Sequence, residues 1–119
     1  MSVPALAATD AVSAVLGAAL DGLSMRQRVI ADNIANIDTP GFRATSVDFE
    51  SSLRSAISSG DASQVGVATT PTDTPVGPDG NNVDLRKETV AAMQSQFQYQ
   101  MMTRAVSDRF DILRISAGA

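Results

Sequence analysis

The carboxylates of Asp48 and Glu50, in the stretch "VDFE", come closest in this sequence to a catalytic constellation. Two acids so close can divide acid and base work in a hydrolase when their surroundings push the pKa values apart. The 119 residues contain neither histidine nor cysteine, however, which removes imidazole acid-base catalysis, thiolate chemistry, disulfides and most zinc sites together. Carboxylates at a helix start also have a simpler use, one as a cap for the first amides and one as a partner of the helix dipole. Enzyme chemistry remains open on composition, but the usual tools are missing and a hydrolase built on these acids has little support; the expectation is a protein with no catalytic residue, cofactor, metal or small-molecule substrate. Its nine basic residues, eight of them Arg, are scattered from Arg26 to Arg114 under a net charge of −4. No basic stripe is available for nucleic acid, nor a Lys/Arg-rich helix face for a membrane surface.

The other polar groups in unusual company lie in "ADNIANIDTPGF", residues 31–42. On a helical wheel Asn33 falls at the edge of the Ile30, Ile34 and Ile37 stripe, and Arg26 and Gln27 interrupt that stripe one turn earlier. Singly, Asn36 can help to end the helix, Asn33 can lie on the surface and Arg26 can snorkel. Together they suggest a seam whose polar members set register and partner choice at some cost in stability.

The elements that position these groups follow from periodicity. Val12, Leu16, Ala19, Leu20, Leu23, Ile30, Ile34 and Ile37 recur at helical spacing and predict a helix over 10–37, capped by Thr9 or Asp10. Leu16, Leu23, Ile30 and Ile37 lie seven apart, as in a helix packed lengthwise on another. Thr39 precedes a proline and should be extended, and Pro40-Gly41 suits the centre of a type II turn that aims Phe42, so the helix stops near 36–38. A short helix is expected within 43–60, with Asp48 as N-cap and Phe49, Leu53 and Ile57 on one face. From 58 to 82, nineteen of twenty-five residues are Ser, Thr, Gly, Pro, Asp or Asn. This predicts a loosely packed, flexible excursion with Val65–Thr69 as its one strand candidate.

A second long helix is expected over 83–115, capped by Asn82 or Asp84. Val90, Met93, Phe97 and Met101 form one stripe on it, and Tyr99, Met102, Val106, Phe110 and Leu113 another. At about 100° per residue the two lie on opposite sides. Either a kink rotates one continuous stripe, or one side packs on the first helix and the other on a different subunit; the methionines favour the second, since thioethers tolerate imperfect surfaces. The fold class is thus mainly α: two long terminal helices in an antiparallel, coiled-coil-like pair with a short, mostly irregular polar middle. It is organised as 1–42, 43–82 and 83–119 within one domain. An Ala-rich chain of this size relies on partners for part of its stability. "AVSAVLGAAL" (11–20) lacks a basic n-region and is read as mature helix, so any export is expected to need no cleaved signal.

At "RQRVIADNIANIDTPGFRATSVDFESSL" (26–53) the sequence resembles the bacterial flagellar rod and hook family, whose N-terminal helix ends in Ala-Asn-Ile-Ala-Asn before Thr-Pro-Gly-aromatic. "GNNVDL" (80–85), "QYQMM" near the end and the short length look like the proximal-rod members. Arg86 and Lys87 stand where that family often has acids, and Phe42 where Tyr is frequent. The resemblance implies a structural basal-body subunit that helps form the axle passing torque from the membrane ring to the hook, exported by the flagellar type III apparatus. Its implied partners are itself, other rod proteins, the FliE adaptor and the membrane ring protein. Its implied assembly residues are Leu23, Arg26, Ile30, Asn33, Ile34, Asn36, Thr39, Pro40, Gly41 and Phe42, with Val90, Phe97, Met101, Met102, Val106, Phe110 and Leu113. The competing reading is a small secreted helical-hairpin binding protein or effector, but such families usually mark their turn with Trp, and this chain has none.

Overall fold

Helix α1 spans Ser2–Ala35 in the computed structural model, which describes residues 2–61 and 65–118. It begins well before the expected caps Thr9 and Asp10, which lie inside it. Alanine has the highest helix propensity, so "ALAA" extends the helix backwards, and Pro4 falls in the first turn, where no amide is lost. At the other end the Phe42 amide donates to the Thr39 carbonyl (3.2 Å) and Gly41 takes φ +77°, the expected type II turn.

The short helix expected within 43–60 forms, at residues 50–59, but a strand that the periodicity did not announce precedes it. Strand β1, Thr45–Asp48, leads into α2, Glu50–Ser59, and β2, Ala68–Pro71, pairs antiparallel with β1 in the register Thr45↔Pro71 to Asp48↔Ala68. The β-branched Thr45 and Val47 favour the extended form, and alternation from Val47 to Phe49 sends both side chains inward. The strand candidate at 65–69 is displaced to 68–71 because its partner is this short edge. Phe49, not Asp48, occupies the N-cap position of α2, although Asp48 still accepts from the Ser51 amide (3.3 Å) and hydroxyl (3.0 Å). Those bonds hold its carboxyl below the ordinary Asp range. On α2, Ala56 is buried and Ile57 is exposed. Gly60, at φ +76°, ends the helix by donating to the Ala56 carbonyl (2.9 Å).

Helix α3, Leu85–Gly118, is continuous, and Asp84 caps it by accepting from the Lys87 amide (3.1 Å). It runs antiparallel to α1, since Asn33 meets Glu88 and Arg26 meets Gln98. The molecule measures 64 × 26 × 15 Å. Its core joins Ala19 and Leu23 of α1 to Val47 and Phe49, with Met25, Val29, Leu53, Tyr99 and Met102 packed against them. Phe49 lies flat on Gly22: a Cβ there would stand 2.4 Å from the ring's Cγ.

The polar middle is better anchored than its composition suggests, because hydrogen bonds replace apolar burial. Thr72 donates from its amide to the Ala44 carbonyl (3.0 Å), and the Thr74 hydroxyl donates to the Asn82 carbonyl (2.7 Å).

Candidate assembly surface and the polar clamp beneath it

Asn33 lies one helical turn after Ile30 on the buried side of α1 and is 1% exposed. Its amide donates to the Thr45 carbonyl (2.7 Å) and to Glu88 Oε1 (3.1 Å), and its Oδ1 accepts from the Thr45 amide (3.3 Å). One side chain thus joins α1, β1 and α3. An amide can do this because it offers donors and an acceptor in one plane, matching the two backbone groups of an extended residue.

Arg26 is committed in the same way. Its guanidinium contacts both oxygens of Glu50 (2.6 and 2.8 Å), donates to the Val47 carbonyl (2.7 Å) and lies 4.9 Å above the Phe49 ring. It fixes the β1–α2 junction on α1. Asn36 ends α1, donating to the Asp32 carbonyl (2.8 Å) and accepting from the Thr39 hydroxyl (3.0 Å).

The chain just before α3 closes over this helix end. Asn81 donates to the carbonyls of Asn36 (2.9 Å) and Thr39 (2.8 Å), while Asn82 Oδ1 accepts from the Ala44 amide (2.6 Å). The Gly41 amide donates to the Asp79 carbonyl (2.9 Å), and the backbones approach so closely that a Cβ on Gly80 would stand 3.2 Å from Gly41 Cα.

The residues singled out from the sequence fall into two sets. Leu23, Ile30 and Asn33 are buried; Arg26, Ile34, Asn36, Phe42, Met102, Val106 and Leu113 are half-buried. Thr39, Pro40 and Gly41 lie at the surface, and so do Val90, Phe97, Met101 and Phe110. On α3, Tyr99 and Met102 face the core, whereas Val90, Met93, Phe97 and Met101 are 50–70% exposed on the outside. Sequence reasoning missed Gly22, Asn81 and Glu88 as working residues. A glycine inside a strong helix pattern was the available signal for Gly22, and amides after Gly80 the signal for Asn81; Glu88 resembles an ordinary first-turn acid.

Burial pushes the Glu88 carboxyl up, against the opposing pull of the Asn33 hydrogen bond and Lys87. A raised folded-state pKa means that the folded form binds the proton more tightly, so ionised Glu88 costs stability and the cost is relieved as pH falls through that value. Glu88→Gln is therefore expected to gain stability over the parent at pH 7 and to lose that advantage toward pH 4. Urea melts across this range check it; a pH-independent difference contradicts it.

Among the described residues no helix is long and apolar enough to cross a membrane, and no group of three or more acidic side chains is placed to hold a metal. A family model described as flagella basal body rod protein matches residues 15–43. Over 118 aligned residues the chain is 32% identical to the flagellar basal body rod protein FlgB of Borreliella burgdorferi, covering 81% of this chain and 87% of that one. It is 36% identical to FlgB of Bacillus subtilis, covering 81% and 84%. Against FlgB of Escherichia coli the identity is 37%, covering 75% and 80%.

Proposed function

The chain belongs to the FlgB family of flagellar basal body rod proteins, and from that premise we propose that the outward stripe of α3 is where neighbouring subunits dock. It is a structural subunit of the rod, assembling with other rod components in the basal body. The competing secreted-hairpin reading is not favoured by these relatives.

The observation that carries the docking assignment is the apolar exposure of Val90, Met93, Phe97 and Met101 on a helix whose other side, at Tyr99 and Met102, already packs on the core. A helix apolar on two sides needs two neighbours. Head-to-tail contacts of this kind propagate as a helical tube, not a closed ring, and a tube of repeated contacts can carry torque. The proximal rod is the position we assign, with copies of itself, the FliE adaptor and the membrane ring protein as neighbours. Export runs through the flagellar type III apparatus without a cleaved signal, and the role is mechanical with no catalytic step. Thr39 to Phe42 end α1 and direct the middle segment to the outside of the tube.

Deleting the gene and imaging basal bodies by electron microscopy tests the role. Rings without rods or hooks, restored by the full-length gene, are expected; complete hook-basal bodies in the deletion strain contradict it. The stripe has its own test. Phe97→Ser together with Met93→Ser changes two side chains that are 62% and 70% exposed and is expected to change unfolding free energy by under about 1 kcal/mol, while reducing rod assembly at least tenfold. Normal motility in the double variant sinks the docking assignment.

A further inference from the structure

Glu88 carries a feature that its bond to Asn33 does not use. The side chain is buried, Oε1 accepts from Asn33, and no donor among the described residues reaches Oε2. Glu88 also borders an open cavity of about 390 Å³ between α1, the β1–β2 pair and the start of α3. Val29, Ile30, Val47, Pro71 and Ala91 supply apolar wall.

The other charges at the cavity are spoken for. Arg26 is neutralised by Glu50 at 2.6 Å, and Lys87 pairs with Asp73 at 3.7 Å. Glu88 feels Lys87 through space but makes no direct ion pair with any cation among the described residues. Its Oε2 is not fully enclosed, so it keeps some solvent access; a carboxylate this poorly solvated still gains from an arriving cation. Aliphatic walls leading to a single carboxylate complement a side chain that combines an apolar stem with a cationic head. A bare metal ion is a poor match, because no third acidic ligand converges there among the described residues.

We propose that this cavity receives a Lys or Arg side chain from an adjoining rod subunit, its stem along the Val29–Ala91 wall and its ammonium or guanidinium on Glu88. The source of the side chain rests on the rod reading; the chemistry of the cavity does not. The contact ties a neighbour to the junction where Asn33 already joins α1, β1 and α3, so docking and internal register reinforce each other.

Two experiments decide it. Full-length chain is titrated with n-butylammonium chloride while NMR follows the Asn33 side-chain amide, with sodium chloride and n-butanol as controls. A saturable shift with butylammonium alone, abolished in Glu88→Gln, is expected; the same response to sodium chloride, or one unchanged in Glu88→Gln, overturns the proposal. In purified basal bodies, a photo-reactive amino acid replacing Ser46 at the cavity edge is crosslinked and the product sequenced by mass spectrometry. A neighbour's peptide with Lys or Arg beside the crosslink supports the contact. Crosslinks confined to the same chain, or to a peptide without either residue, overturn it. Failure of the rod reading is distinguishable, since the chain is then missing from purified basal bodies while the butylammonium response persists.

Discussion

Replacing Asn33 by aspartate is expected to release β1 and the start of α3 from α1 at neutral pH. The substitution removes the donors that meet the Thr45 carbonyl at 2.7 Å and Glu88 at 3.1 Å, and sets a second carboxylate against the first in a site that is 1% exposed. Each orphaned polar group costs about 1–3 kcal/mol and an unpaired buried charge more, so a loss of about 4 kcal/mol or greater is expected. Asn33→Ala leaves the same partners unpaired without the added charge and is expected to lose less. The ordering is the informative part. Because repulsion between two acids is relieved by one proton, the aspartate variant should regain stability relative to Asn33→Ala as pH falls from 7 to 5. Adding Glu88→Gln should recover part of the loss, since residues in one network are coupled. Urea melts of the parent and these three variants measure all of this; equal losses for Asp and Ala at every pH would show that charge plays no part.

A second large effect is expected at Gly22, and its sign depends on one neighbour. In an unobstructed helix Gly→Ala gains about 1 kcal/mol. Here the new methyl would lie 2.4 Å from Phe49 Cγ, an atom near the backbone that cannot swing aside cheaply. Phe49 must leave its place, taking with it the ring beneath Arg26 and the packing between α1 and β1. Overpacking of this kind costs about 1–3 kcal/mol, and loss of the Phe49 contacts approaches the about 3–5 kcal/mol typical of Phe→Ala. A net loss of about 2–4 kcal/mol is expected for Gly22→Ala in the parent. In a Phe49→Ala background the clash is gone, and the same change should stabilise. Thermal melts of the double-mutant cycle decide the matter, and a destabilising Gly22→Ala in both backgrounds would refute the close-packing account.

The two long helices and the turn between them were legible in the sequence because each is written in local signals: three-four spacing, Asp84 as cap, and a proline followed by a glycine that takes φ +77°. The start of α1 was not, because Thr9 and Asp10 are good caps in isolation and only the continuing alanines outweigh them. β1 was hidden for another reason. Phe49, Leu53 and Ile57 announce α2, but the four residues before Phe49 carry too short an alternation to announce a strand. What makes Thr45–Asp48 extended is the edge offered by Ala68–Pro71 and the amide of Asn33, both distant in sequence. The anchoring of residues 72–82 was missed for the same reason, since composition counts apolar groups and the bonds of Thr74, Asn81 and Asn82 are polar. Amides near an apolar stripe were noticed as setting register. The structure adds the place where Asn33 acts, inside the chain between α1, β1 and α3.

That division gives the molecule its logic. Polar groups in contact with α1 hold the chain to itself, while the outer side of α3 leaves apolar residues exposed, the surface proposed above for a neighbour. The most direct test is a cryo-electron microscopy map of the assembled rod at side-chain resolution. The account predicts Val90, Met93, Phe97 and Met101 buried against an adjoining subunit, with Asn33 still bonded to Thr45 and Glu88 of its own chain. A rod in which that stripe faces solvent, or in which Asn33 has opened to bond a neighbouring subunit, would contradict it.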